Sequence, residues 1–345
     1  MSVNEVNDGA GWDLYLSPSG PEGHVPTELR PELDSDWLIC QKEMFLVDGE
    51  SSVTQLTTGP SEESSPTLTL TFFFTASGGR WNCTESLLSG VQWVDAGDGH
   101  VVAIGQNQQA FRLTGSGWSN LGSRRLEHVT VGAAGVWGTD ESKRVYKYIS
   151  DDFEHVPGMI LSQVDAGGDG AVVGIRLGFF GFNSIACLKK SFSTSVVGDG
   201  QLQWKTDSML MKYISCGPQL GCWGVNMNRI YFTESFSPTT CESQGWRHVP
   251  GPNMNMIKVG RDGEVFGLSE GSVFRRTGIT FYNREGSGWE RVHLSSGQDV
   301  KHLTYDQDQL WVVTTDSLLL KCSGARSSSV LMMIVGSLIV SLLFH

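Results

Sequence analysis

The sequence predicts an all-β fold, a six-bladed β-propeller built from residues 81–322. The first observation is one short phrase that recurs six times. It reads WVDAGDGHVVAIG (93–105), HVTVGAAGVWG (128–138), QVDAGGDGAVVG (163–174), YISCGPQLGCWG (213–224), MIKVGRDGEVFG (256–267) and HLTYDQDQLWVV (302–313). Each copy is an alternating strand, a Gly/Asp turn and a second apolar strand. The second observation is spacing. The leading turn residue falls at Gly97, Gly132, Gly167, Gly217, Gly260 and Asp306, at intervals of 35, 35, 50, 43 and 46 residues. Strand pairs repeating at about 40 residues belong to propeller blades rather than to a helical solenoid. The third is composition: 42 glycines and 11 tryptophans in 345 residues, with no long amphipathic helical pattern.

Three segments follow in order. Residues 1–76 form an acidic extension. Its first 65 residues carry no repeat and are rich in Pro, Ser, Glu and Gly, a composition that favours disorder. Pro66–Gly79 (PTLTLTFFFTASGG) reads either as the apolar region and cleavage site of a secretory signal or as a stray apolar strand. The extension holds thirteen acids against two bases, and the rest of the chain twenty-four against twenty-three. The formal charge of −12 therefore belongs to the extension. The repeat region is nearly neutral and has no basic stripe, which excludes nucleic acid as the expected partner.

Within the repeats, an aromatic strand precedes the next phrase: GWSNLGS (117–123), FEHVPG (153–158), GWRHVPG (245–251) and GWERVHL (288–294), with Trp204 and Trp81 in comparable places. Another strand follows the turn pair, as in AFRL (110–113), VYKY (145–148), IYFT (230–233) and VFRR (273–276). That makes four strands per repeat. Small residues suit the crowded axis, and Trp, Phe and Tyr suit the widening gaps between blades. The ring is expected to close by joining the Trp81 strand to strands of the last repeat, which leaves no long free edge.

Seven cysteines occur, and six lie in the repeat region or at its edges. An even set there points to three disulfides and an oxidising compartment. Cys216 and Cys222 flank a turn, Cys83 and Cys322 bracket the repeats, and Cys187 and Cys241 remain. A zinc site would need a second Cys/His pair at ligand spacing, and none is present. Asn82-Cys83-Thr84 is an N-glycosylation sequon, which a bridge at Cys83 would block. Residues 323–345 comprise a polar spacer and a tail whose Val330–Phe344 stretch is uncharged and largely apolar. It is short for a spanning helix, and small residues precede it, so it reads as a membrane or lipid anchor.

Taken together, HVTVGAAGVWG, YISCGPQLGCWGVN and LTYDQDQLWVV, in register with the cysteines, resemble the tectonin-repeat lectins and most closely the fish-egg lectin family. The resemblance runs from about Trp81 to Cys322. It implies a secreted propeller that binds N-acetylglucosamine-type sugars and microbial surface glycans without catalysis, in an innate-immune or egg-protective role. The extension and the apolar tail have no counterpart in that family and leave free secretion open.

A search for chemistry supports binding over turnover. The histidines are scattered and no G-x-S-x-G elbow exists. Gly168–Gly174 joins two strands, whereas a dinucleotide loop opens a helix. The acid pairs Asp95/Asp98, Asp165/Asp169 and Asp306/Asp308 could serve a glycosidase or hold calcium, but they read as ordinary turn residues. No cofactor is expected. For sugar binding, an aromatic face beside polar groups is required. The candidates are Trp137, Trp223, Phe266 and Trp311, with Asp140, Asn226, Asn228 and Asp316 in the turns after them. The same rings equally suit the core between blades. The alternative function is a propeller that serves as a protein-interaction scaffold.

Overall fold

The computed structural model describes residues 80–324, except 116, 179–180, 195–201 and 219–220, together with four short strands before residue 53. It divides into Met1–Ser77 and Gly78–His345. In the first unit Ser2–Asn7 pairs with Trp12–Ser17, and Phe45–Val47 with Glu50–Ser52. The signal-like 66–79 stretch, Cys40 and the 325–345 tail lie outside the described residues.

The second unit is a ring of small antiparallel sheets. Four are four-stranded, one is seven-stranded, and a two-stranded ribbon pairs Ser235–Ser237 with Glu242–Gln244. Strand order follows the chain, so each sheet runs outward from a phrase: Trp93–Gly97, His100–Ile104, Gln109–Thr114, then Gly117–Arg125 in the first. The seven-stranded sheet exists because one long strand, Asp152–Asp165, is outermost to the 128–149 strands and innermost to those that follow. The sheet at 300–323 borrows its outer strand, Asn82–Glu85, from the other end of the repeat region. Cys83–Cys322 crosses that junction, and Cys187–Cys241 and Cys216–Cys222 are also bridged.

The inner strands stack in register, and their third positions are Asp95, Thr130, Asp165, Ser215, Lys258 and Thr304, all buried. Five of these side chains accept a hydrogen bond from the next inner strand's backbone. Val131 N donates to Asp95, Ala166 N to Thr130, Cys216 N to Asp165, Val259 N to Ser215 and Ala96 N to Thr304, at 2.9–3.3 Å. An acceptor is needed there because adjacent inner strands share no ladder and a buried N–H must be satisfied. Lysine cannot accept. Lys258 instead reaches across the axis, its Nζ 2.7 Å from both Asp95 Oδ1 and Asp165 Oδ2. Asp95 and Asp165 are therefore axial ion-pair partners, which corrects their expected role as turn residues. Asp98 and Asp308 do sit in the turns, with φ of 53° and 61°.

Close approach explains the glycines of the phrase. A Cβ on Gly132 would lie 2.0 Å from Ala166 O of the next strand. A Cβ on Gly138 would lie 2.6 Å from Leu126 Cδ1. The equivalent Gly174, Gly224 and Gly267 receive Leu161, Met211 and Met254 in the same way. At these four glycines the sheet thus accepts an apolar side chain that comes just before the phrase in the chain.

Candidate functional site

The four candidate rings occupy one register position, opposite the axial residues: Thr130↔Trp137, Ser215↔Trp223, Lys258↔Phe266 and Thr304↔Trp311. Trp137, Trp223 and Phe266 are fully buried and Trp311 is nearly so. They are core between sheets, and none offers a face to a sugar. The reason is the outer aromatic strand of the following repeat, which covers them. Trp118 meets Trp311 edge-on at 6.3 Å, Trp289 meets Trp223 at 6.0 Å, and Trp81 meets Phe266 at 5.7 Å. Trp204 packs in the same cluster as Trp137.

The polar candidates divide. Asp140 is buried and accepts from Arg144 N, Arg144 Nε and Tyr146 Oη at 2.9, 2.8 and 3.0 Å. Burial works against its charge, but these bonds hold its carboxyl below the usual aspartate range. It tightens a turn and is not open to a ligand. Asn228 and Asp316 are exposed, and Asn226 is half-buried.

Two sheets break the aromatic rule, because Val102 and Val173 stand opposite Asp95 and Asp165. At the first, Phe153 fills the space and is itself buried. At the second, Trp246 packs over the Val173 cluster and is half-buried, as Trp81, Trp118, Trp204 and Trp289 are over theirs. A cleft of about 480 Å³ opens beside it, lined by Asp207, Ser208, Met209, Leu210, Asn226 and Trp246. The indole is fixed in place: its Nε1 donates to Ser243 Oγ (3.1 Å), which donates to Asp207 Oδ2 (2.5 Å). Asp207 Oδ1 accepts from Met209 N at 2.9 Å. The wall therefore combines a rigid ring, the apolar Met209 and Leu210, and the amide of Asn226. Of the sequence candidates only Asn226 lines this cleft, and Trp246 was missed. The available signal was VVG in place of VWG in the phrase at 163–174.

The axis itself is closed to ligands by its side chains. Below the Lys258 layer, Trp93 lies between His128 and His302, at centroid distances of 4.1 and 3.7 Å. Neither imidazole has a hydrogen-bond partner, and both are buried. Burial, reinforced by nearby Lys258, drives both pKa values well below the usual histidine range. Lys258 is the reverse case, since Asp165 and Asp95 outweigh desolvation and raise its pKa. No group of three or more His, Cys, Asp or Glu residues among those described is placed to hold a metal ion.

These features define an all-β, propeller-like protein, disulfide-closed, with an aromatic-walled cleft between two of its sheets. Residues 90–315 match the tectonin domain model, and the chain belongs to that family. It is 35% identical to the fish-egg lectin of Cyprinus carpio over 164 residues, 46% of this chain. The match spans 65% of that lectin, slightly under two thirds of its length. Among solved structures, a gluconolactonase from Xanthomonas campestris superposes with a TM-score of 0.51 at 12% identity, covering 70% of this chain and 88% of that one. That likeness concerns the fold alone.

Proposed function

We propose that this chain is a lectin that binds N-acetylglucosamine-type or microbial surface glycans without turning them over. The seven-stranded sheet counts as two blades in this reading, which makes the ring six-bladed. The observation that carries the reading is the Trp246 cleft. Its flat indole edge, held by Ser243 and Asp207, stands beside Asn226, whose amide can both donate to and accept from an acetamido group. Tectonin-family membership and the similarity to a fish-egg lectin support it.

A shallow sugar site of this kind binds near the millimolar level, about −4 kcal/mol. Repeating glycans presented to several copies gain roughly 10² to 10⁴ in avidity. Three disulfides favour an oxidising, extracellular setting. The apolar tail would hold the ring at a membrane face. The test is retention of the full chain, secreted and disulfide-bonded, on immobilised N-acetylglucosamine with free-sugar elution. Trp246→Ala is expected to abolish retention. A folded protein that ignores this sugar and a broad glycan array would end the lectin reading.

A further inference from the structure

The loop at 278–287 joins Ser272–Thr277 to the outer strand Gly288–Val292. It lifts Phe281 and Tyr282 off the ring, 74% and 95% exposed. The two rings meet edge to face at 5.3 Å, and the Arg284 guanidinium lies 5.6 Å from the Phe281 centroid. Single exposed apolar residues need no explanation, but two adjacent ones on a braced tip do. Thr280 N donates to Asn283 O (2.9 Å) and Gly286 N to Asn283 O (3.1 Å). Buried Arg276 donates to the carbonyls of Glu285 (2.8 Å) and Gly286 (3.2 Å) while lying over the Trp223 and Trp289 rings. Glu285 pairs with Arg247 of the neighbouring sheet at 2.5 Å. Two sheets therefore hold the loop in place, so little ordering entropy is lost when the tip engages a surface.

We propose that this tip is a bilayer-contact loop, with Phe281 and Tyr282 entering the headgroup region and Arg284 meeting lipid phosphates. Shape is the first argument. The tip is convex, whereas a sugar or small ligand needs concave walls. A fluid interface needs none. Chemistry is the second: aromatic rings flanked by arginine are what the membrane–water boundary selects, and guanidinium suits phosphate.

Position is the third argument and is independent of the other two. In an antiparallel sheet the loop between strands three and four lies at the same end as the turn between strands one and two. Leu319–Ser323 is the third strand of the adjacent sheet, so it ends at that same end. Beyond it the sequence runs through residues 324–329 into the apolar stretch 330–344. Six residues reach at most about 20 Å. A bilayer that holds the apolar stretch therefore lies close to the end of the ring that carries Phe281 and Tyr282.

The test uses the full chain with Cys40→Ser. An environment-sensitive dye is placed at Tyr282→Cys or, as reference, at Met227→Cys, an 82% exposed turn at the opposite end of its sheet. On vesicles of phosphatidylcholine containing phosphatidylglycerol, the dye at 282 should shift to the blue. Nitroxide-bearing lipids should quench it several-fold more than the dye at 227. Free sugar should leave this difference unchanged, which separates the proposal from the glycan reading. Equal quenching at the two positions, or no vesicle binding, overturns it. Hydrogen exchange on the unlabelled chain provides a second readout: vesicles should slow loop 278–287 and leave 226–229 unaffected, and no slowing at 278–287 also overturns it.

Discussion

Acid should loosen this ring through two residues on its axis. His128 and His302 are buried against Trp93 with all four ring nitrogens unpartnered, and burial keeps both neutral. In the unfolded chain each titrates near pH 6.5. Below that value the unfolded state binds protons that the folded state refuses, so stability falls as pH falls. The loss begins near pH 6.5 and continues until the depressed folded pKa is reached. At pH 5 each imidazole costs at most about 2 kcal/mol, and the pair at most about 4 kcal/mol. Other charges facing the pair are Lys258, Lys143 and Lys301, all cationic, so none relieves an imidazolium. Asp140, with its lowered pKa, adds stability that is lost only below about pH 4 and so does not confuse the window. The assay is the urea midpoint of the disulfide-intact chain at several values between about pH 7.5 and 5. His128→Met and His302→Met, which copy Met256 at the equivalent position, should each remove about half of the slope. A midpoint flat across this range, or a double variant with an unchanged slope, refutes the reasoning.

Three further outcomes are expected. Lys258→Met leaves Asp95 and Asp165 buried without their cation and should cost about 3–5 kcal/mol, read by chemical denaturation. Trp137→Ala should cost about 3–5 kcal/mol of stability and leave sugar affinity per folded molecule unchanged, whereas Trp246→Ala should do the opposite in a binding isotherm. Replacing Cys83 and Cys322 by Ser opens a closure spanning 239 residues and should cost about 3–5 kcal/mol in thermal unfolding, with the other two disulfides intact by mass.

The repeat phrase carried most of the fold because each of its residues answers a local demand. Gly132 and Gly138 admit a neighbouring backbone and a leucine, and alternation sets which side chains face inward. The cysteine pairings were legible for the same reason, since ring closure brings Cys83 and Cys322 together whatever the side-chain details. One register was read differently from its outcome: Asp95 and Asp165 resemble turn aspartates by composition, yet they lie on inner strands facing Lys258. Lys258 comes from MIKVG, more than ninety residues after Asp165, and no local pattern couples them.

The candidate site shows the limit most clearly. A sequence shows that Trp137, Trp223, Phe266 and Trp311 share a position, but exposure depends on what the next sheet lays over that position. Trp118, Trp204, Trp289 and Trp81 cover those rings, and Trp246 packs over the Val173 cluster at the edge of the cleft. The sequence alone determined the all-β class, the repeat, the closing strand and the three disulfides, because spacing and residue type act locally or through ring closure. Tertiary structure alone decided which tryptophan borders a cleft, which aspartates are paired on the axis, and which loop stands proud. Those properties belong to contacts between sheets, and the partners in such contacts lie tens to hundreds of residues apart.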